Sequence, residues 1–150
     1  MNIDYQIGDA SNPGDGILTI IAHVCNNIGV WGGGFTAALS ARDRLPDQRY
    51  RRHTEWALGA VEIIPFVNEW TCVANMVAQH GVGRAQTPIR YDALEQCLTS
   101  VADTAAKQFA VIRMPRIGCG LAGGTWADVE PIVRRCLTDR GIPVTVCDLS

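Results

Sequence analysis

The sequence predicts a three-layer α/β/α sandwich, on three observations. Residues 17–24, Ile-Leu-Thr-Ile-Ile-Ala-His-Val, form an apolar, β-rich run. It is too continuous for a strand with one wet face and reads as a central strand covered on both sides. Segments of helical spacing and of strand-like composition then alternate along the chain, the pattern of a sheet flanked by helices. Two glycine-rich stretches each follow a strand-like run and open a helix-like one, where ligands of such sheets settle.

The remaining elements follow in order. Phe35 to Arg42 reads as a helix after the central strand. Ala60 to Pro65 and Thr71 to Val77 read as two strands joined by a turn near Asn68, with Pro65 closing the first. Tyr91 to Phe109 sets Leu94, Leu98, Val101 and Ala105 at helical spacing, and Val111 to Pro115 returns as a strand. A helix from Ala127 to Asp139 stops near Gly141, and Val144 to Cys147 is the last strand. With no repeat, linker or low-complexity tract, residues 1–150 are expected to form one domain.

Composition narrows the function classes. A chain of 150 residues with 47% apolar content buries a real core. Its 13 basic and 15 acidic side chains leave a net charge of -2, with no basic block able to line a nucleic-acid backbone. The start, Met1-Asn2-Ile3-Asp4-Tyr5, lacks a basic region followed by a long apolar run, and no segment reaches membrane-spanning length. A cytoplasmic monomer without membrane contact is expected. Cys25, Cys72, Cys97, Cys119, Cys136 and Cys147 sit mostly inside apolar runs without close pairing, as buried reduced thiols. No Cys-x-x-Cys pair occurs and His23, His53 and His80 are widely spaced, so neither a metal nor a cofactor is expected.

The chemistry gathers at the glycine stretches. Gly29-Val30-Trp31-Gly32-Gly33-Gly34-Phe35 brings bare backbone and a helix N-terminus together, which suits a phosphate. Ile117-Gly118-Cys119-Gly120-Leu121-Ala122-Gly123-Gly124 offers a second set of unencumbered amides. Glycines can equally serve only to permit tight turns, but two such loops suggest a diphosphate clamp. No Gly-Lys-Ser/Thr follows, and neither stretch fits Gly-x-Gly-x-x-Gly with a ribose-binding acid beyond the next strand, which weakens nucleotide triphosphatase and dehydrogenase readings. Asn26 and Asn27, ending the central strand, have carboxamides suited to sugar hydroxyls or to capping the following turn.

With these motifs in place, the chain resembles the macrodomain family. Gly8-Asp9-Ala10, His23-Val24-Cys25-Asn26, Trp31-Gly32-Gly33-Gly34-Phe35 and Pro115-Arg116-Ile117-Gly118-Cys119-Gly120-Leu121 occupy the family's ADP-ribose-reading places in order, across essentially the whole chain. The last of these looks most like the branch of terminal ADP-ribose protein glycohydrolase and the bacterial "Appr-1-p processing" proteins. The resemblance implies a central mixed sheet and an ADP-ribose cleft. In it Asp9, with Ala10 beside it, meets the adenine amino group, Asn26 holds the distal ribose with Asn27 next to it in the substrate site, and Trp31 shapes the ribose end. Gly32, Gly33, Gly34 and Phe35 form one phosphate loop; Ile117, Gly118, Cys119, Gly120, Leu121, Ala122 and Gly123 form the other. Trp126 is expected in the core instead.

Departures from that branch bear on turnover. Its carboxylate after the Leu is Ala122 here, and its Lys before the Tyr-initiated helix is Gly83, so the nucleophile and acid of that branch are missing. Arg84, beside the lost Lys, can hold a phosphate or orient water but stays protonated; His80 is a nearby candidate or simply a His at a strand end. The aromatic residue that the family often stacks on adenine after the last strand is also absent, since this chain reads Val146-Cys147-Asp148. The resemblance implies hydrolysis of ADP-ribosyl groups from modified acceptors, carboxylate (Glu/Asp) esters on proteins above all, by substrate-assisted attack of water with Asn26 and Arg84 as the catalytic candidates. The alternatives are a non-catalytic ADP-ribose reader and an ADP-ribose 1''-phosphate phosphatase. The implied partners are ADP-ribose or an ADP-ribosylated protein, with ADP-ribosylated nucleic acid left open.

Overall fold

A computed structural model of the chain describes residues 1–82 and 88–150. In chain order the elements are β1 (Asp4–Ile7), β2 (Thr19–Asn26), α1 (Phe35–Arg42), α2 (Leu45–Tyr50), β3 (Val61–Phe66), β4 (Asn68–Gln79), α3 (Tyr91–Gln108), β5 (Val111–Met114), α4 (Trp126–Cys136) and β6 (Val144–Asp148), with short 3-10 turns at Gly120–Ala122 and Thr138–Arg140. The strands form one six-stranded sheet in the order β1-β6-β5-β2-β4-β3. All neighbours are parallel except the β3/β4 hairpin, so the sheet is mixed.

The apolar run around β2 sits third from one edge and is buried almost throughout, as a central strand requires. Its two side-chain faces feed two cores. Ile20 and Ala22 join the larger one beneath α3 and α4, where Leu94, Cys97, Leu98 and Val101 of α3 repeat at helical spacing. Ile21 packs with Leu39 of α1, Phe66 and Val73 on the opposite face. Helices therefore cover both faces of the sheet, and the three-layer sandwich is present.

Several boundaries differ from the sequence expectation, each for a local reason. Strand β3 continues through Pro65 to Phe66, because β3 is an edge strand and the missing N–H of the exposed Pro65 faces no partner. The hairpin turns at Val67, whose φ of 64° is held by a bond from its N–H to Asp43 Oδ2 at 2.9 Å. Asn68 already belongs to β4 and accepts from the Trp70 amide. The last helix ends at Cys136 and the chain reaches Gly141 through a 3-10 turn. Strand β1 and helix α2 were not anticipated. The four residues of β1 are all exposed and pair with β6 through backbone alone; α2 is six residues long, carries Pro46, and turns Asp47 inward to Arg44 and Arg51.

All six cysteines are free thiols, with Cys72 and Cys119 half-buried and the others buried. Among the described residues, no helix is long and apolar enough to cross a membrane and no group of His, Cys, Asp or Glu is arranged to hold a metal ion.

Candidate functional site

Parallel pairing sends the C-terminal ends of β1, β6, β5, β2 and β4 to one edge of the sheet. Along that edge the order of loops is Gly8-Asp9, Asp148, Pro115 to Gly124, Asn26 to Gly34, and His80. Neighbouring strands lie about 4.8 Å apart, so the loop after β1 is about 14 Å from the loop after β2, with the loop after β5 between them. A cleft of about 340 Å³ opens over β2 and β5, within the range of small-molecule sites, about 300–1,000 Å³. Its walls bring together Asn26, Trp31, Gly32, Gly33 and Phe35 from the first loop and Ile117, Gly118, Cys119 and Ala122 from the second. The two glycine stretches thus face each other across one crevice.

The glycines divide by purpose. Gly29 has φ +77°, and a Cβ there would lie 2.5 Å from the His53 carbonyl oxygen, so this glycine lets the loop close on the following segment. The second loop folds on itself through Gly124 N–H to Gly118 O at 2.9 Å and Gly123 N–H to Gly120 O at 3.0 Å. Gly32 and Gly33 are different. They have no positive φ, and an added Cβ would meet nothing within 4 Å. Neither turn geometry nor packing among the described residues demands glycine at these two positions, and both are exposed on the cleft wall. They lead into α1, whose first-turn amides have no carbonyl behind them; the Thr36 hydroxyl caps only the Gly32 and Gly33 carbonyls, at 2.6 and 2.8 Å.

Asn26 organises the first loop. Its Oδ1 accepts from the Ile28 and Val30 amides at 3.1 Å each and from the Tyr50 hydroxyl at 2.7 Å, and its Nδ2 donates to Val30 O at 2.7 Å. The Tyr50 hydroxyl also reaches Asn26 O at 2.5 Å. Among the described residues, these bonds leave one amide hydrogen of Asn26 over. Tyr50 stacks on Trp56 and leans on Trp31, so α2 braces the loop from below. Trp31 lines the cleft, and its indole packs edge-on against His23 while donating to Ser40 Oγ at 2.8 Å.

His23 forms part of the cleft floor and is almost fully buried. Asn75 Nδ2 donates to Pro46 O, so Asn75 Oδ1 takes the Nε2–H of His23 at 2.6 Å. Burial lowers the imidazole to about 4, against only a partial opposing effect of that hydrogen bond, and the ring is neutral at physiological pH. Because the folded state holds this group below its unfolded value of 6.5, the resulting stability is complete above pH 6.5 and disappears as pH falls towards 4. Roughly 3 kcal/mol should go across that window, read as a falling urea midpoint; a His23→Gln variant should lack this slope.

The other predicted residues fall outside the cleft wall. Asp9 lies past β1, where its Oδ1 accepts from the Ser11 amide and hydroxyl and its Oδ2 faces Arg42 at 3.4 Å. Those bonds, the Ser11 ones foremost, hold its carboxyl below the usual carboxylate range. Ala10 is buried. Asn27 ties strand ends together: its side chain accepts from the Gly81 amide and meets His80 Nδ1 at 3.2 Å, which leaves His80 exposed just past β4. Gly34, Gly120 and Gly123 border the loops without lining the cleft. Leu121 lies within the second loop's 3-10 turn. Gly83 and Arg84 lie outside the described residues. Trp126 packs against the larger core as a half-buried residue, and its indole N–H donates to the Tyr5 hydroxyl at 2.9 Å.

Sequence reasoning missed Tyr50 and Arg116. Tyr50 lay in a polar stretch with no periodic signal; Arg116 stood inside a quoted motif but its setting depends on residues distant in sequence. Among the described lining residues Arg116 is the charged one, and its guanidinium is paired with Asp148, which stands outside the lining. Burial pushes the thiols of Cys25 and Cys119 and the phenol of Tyr50 upward, so these groups are protonated at neutral pH.

A solved macrodomain protein from Streptomyces coelicolor is 45% identical to this chain, with a TM-score of 0.84 and coverage of 98% of this chain and 99% of that one. The chain belongs to the macrodomain family. This macrodomain is also 31% identical over 157 residues to chromodomain-helicase-DNA-binding protein 1-like of Mus musculus, covering 97% of the chain but only 17% of that protein's length. Likeness of fold alone extends to Thermosipho africanus DarTG, solved in complex with ADP-ribose, at 19% identity and a TM-score of 0.69 over 85% of this chain and 37% of that one. No family model matches the chain.

Proposed function

We propose that this macrodomain binds ADP-ribose and releases it from carboxylate (Glu/Asp) esters on proteins. The observation that carries the binding is the pair Gly32 and Gly33, bare backbone on a cleft wall that the fold itself does not require. The diphosphate takes the amides of both glycine loops, with the distal ribose towards Asn26 and Trp31 and the adenine towards Asp9. That direction is the one the family resemblance implies, and the sheet order supports it, since the second glycine loop, after β5, lies between the ends of β1 and β2. The motif Pro115 to Leu121 favours the branch of terminal ADP-ribose protein glycohydrolase and the Appr-1-p processing proteins.

The missing nucleophile points to water as the attacking group. The oxygen of a water bonds to C1'' of the distal ribose, the bond from C1'' to the ester oxygen breaks, and the acceptor leaves as a carboxylate. A phosphate oxygen of the ligand takes the water's proton, and the remaining amide hydrogen of Asn26 helps orient the ribose, with Arg84 as the second candidate. A carboxylate is a good leaving group, so this route needs no activated side chain.

A non-catalytic reader is the second reading, favoured by Ala122 at the acid position and by the protonated thiols and phenol of the cleft. Protein carrying Glu/Asp-linked ADP-ribose separates the two. Hydrolysis releases free ADP-ribose above the buffer rate and loses at least tenfold in rate with Asn26→Ala; a reader retains the modified protein and releases none. Inorganic phosphate released from ADP-ribose 1''-phosphate would instead mark a phosphatase.

A further inference from the structure

Arg116 is held in one orientation by residues from three other parts of the fold. Its Nε and an Nη donate side by side to the two carboxylate oxygens of Asp148, at 2.8 and 3.0 Å. Its guanidinium carbon lies over the rings of Tyr5 and Trp126, 5.3 and 5.4 Å from their centroids. Those rings are themselves fixed: they meet edge to face, the Trp126 indole donates to the Tyr5 hydroxyl, and that hydroxyl donates to Glu130 at 2.7 Å. Glu130 in turn is bound by Arg134 at 2.9 Å. An isolated surface ion pair adds little, because ordering two long side chains opposes it. Here β1, α4 and the ends of β5 and β6 converge on one planar cation that remains 41% exposed.

The place of this cation matters as much as its rigidity. Arg116 lines the cleft at the start of the second glycine loop. Its partner Asp148 ends β6, and the Asp148 carbonyl accepts the Gly8 amide at 2.7 Å, one residue before Asp9. The ion pair therefore bridges the β5 and β6 ends, between the glycine loops and Asp9. The guanidinium touches both rings, which stand nearly perpendicular to each other, and stays partly exposed where Arg116 lines the cleft. We propose that Arg116, clamped by Asp148 and backed by Tyr5 and Trp126, is the stacking platform for the ligand's nucleobase and makes the site select a purine rather than any ribose diphosphate. A guanidinium plane stacks on bases as well as an aromatic ring does, and a positive one complements the electron-rich purine face. The two-point bond to the Asp148 carboxylate sets the plane of the cation.

The inference rests on the ADP-ribose reading of the cleft, and the test separates the two. The whole chain and its Arg116→Leu, Arg116→Lys and Asp148→Asn variants are titrated calorimetrically with ADP-ribose and with ribose 5-phosphate. The fluorescent 1,N6-etheno-ADP-ribose is then bound and exposed to iodide. Base stacking is typically worth about 10- to 100-fold in affinity. Arg116→Leu and Arg116→Lys should both lose about that much for ADP-ribose, and Asp148→Asn less. Affinity for ribose 5-phosphate should be unchanged, and the etheno base should become more accessible to iodide in the Arg116 variants. Full affinity in Arg116→Lys would show that charge alone matters and overturn the platform, as would unchanged iodide quenching in Arg116→Leu. Thermal melting checks folding, and the Lys variant keeps the ion pair available if the Leu variant is unstable. Wild-type protein that binds no ADP-ribose overturns the underlying reading; wild-type binding with indifferent Arg116 variants overturns this inference alone.

Discussion

Gly33→Glu is expected to weaken ADP-ribose binding by at least about a hundredfold while moving the thermal midpoint by no more than about 2 °C. Gly33 is exposed, lacks a positive φ, and has room for a side chain, so the fold tolerates the change. The same openness makes the substitution severe for the ligand. A carboxylate about 5 Å from one phosphate charge, at an effective dielectric near 20, costs about 3 kcal/mol, which alone exceeds a hundredfold. Gly33→Lys separates charge from bulk, since it adds comparable volume with the opposite sign and should bind more tightly than the Glu variant. Wild-type affinity in Gly33→Glu, measured by calorimetry beside a melting curve, would remove the first glycine loop from the site.

Asn26→Ala should produce the largest loss of stability among the site variants, about 2–3 kcal/mol, seen as a fall in midpoint of roughly 5–10 °C. The substitution strips two loop amides and a tyrosine hydroxyl of their shared acceptor and leaves the Val30 carbonyl without its donor. Binding should fall as well, by about tenfold or more, because the loop no longer presents its bare backbone in one arrangement before the ligand arrives. Tyr50→Phe isolates part of this effect. It removes a single donor while the two amides keep Asn26 Oδ1, so it should cost about 1 kcal/mol and alter affinity less. Equal stability of Asn26→Ala and the parent would show that the carboxamide does not hold the loop.

What could be read before any coordinates was whatever leaves a periodic or compositional trace. The run at β2 announced a strand with two dry faces, and the spacing of Leu94, Leu98 and Val101 announced one face of α3; both signals exist because burial selects side chains. Strand β1 left no such trace, since its four residues are exposed, pair with β6 through the backbone, and owe the Tyr5 side-chain contacts to residues distant in sequence. Helix α2 is too short for a helical period and buries an acid, Asp47, that any hydropathy pattern assigns to solvent. The glycine loops and Asn26 were legible at the site because their spacing is local. Asn26 nonetheless has a second task, organising its own loop, which depends on Tyr50 from another element. Arg116 is the clearest case of the same limit: its neighbours Tyr5, Trp126 and Asp148 come from separate elements, and only the sheet order brings them together. His23 did carry a usable signal, a polar ring inside an otherwise apolar strand, which points to a buried partner such as Asn75.

The proposed function requires the crevice between the two glycine loops to accept a linked pair of phosphates carrying ribose on both sides. Calorimetric titration of the purified chain with ADP-ribose tests it most directly. A single saturable site that ribose 5-phosphate fills far more weakly, and that Gly33→Glu abolishes, is the result predicted. No heat and no thermal stabilisation at saturating ADP-ribose would contradict it.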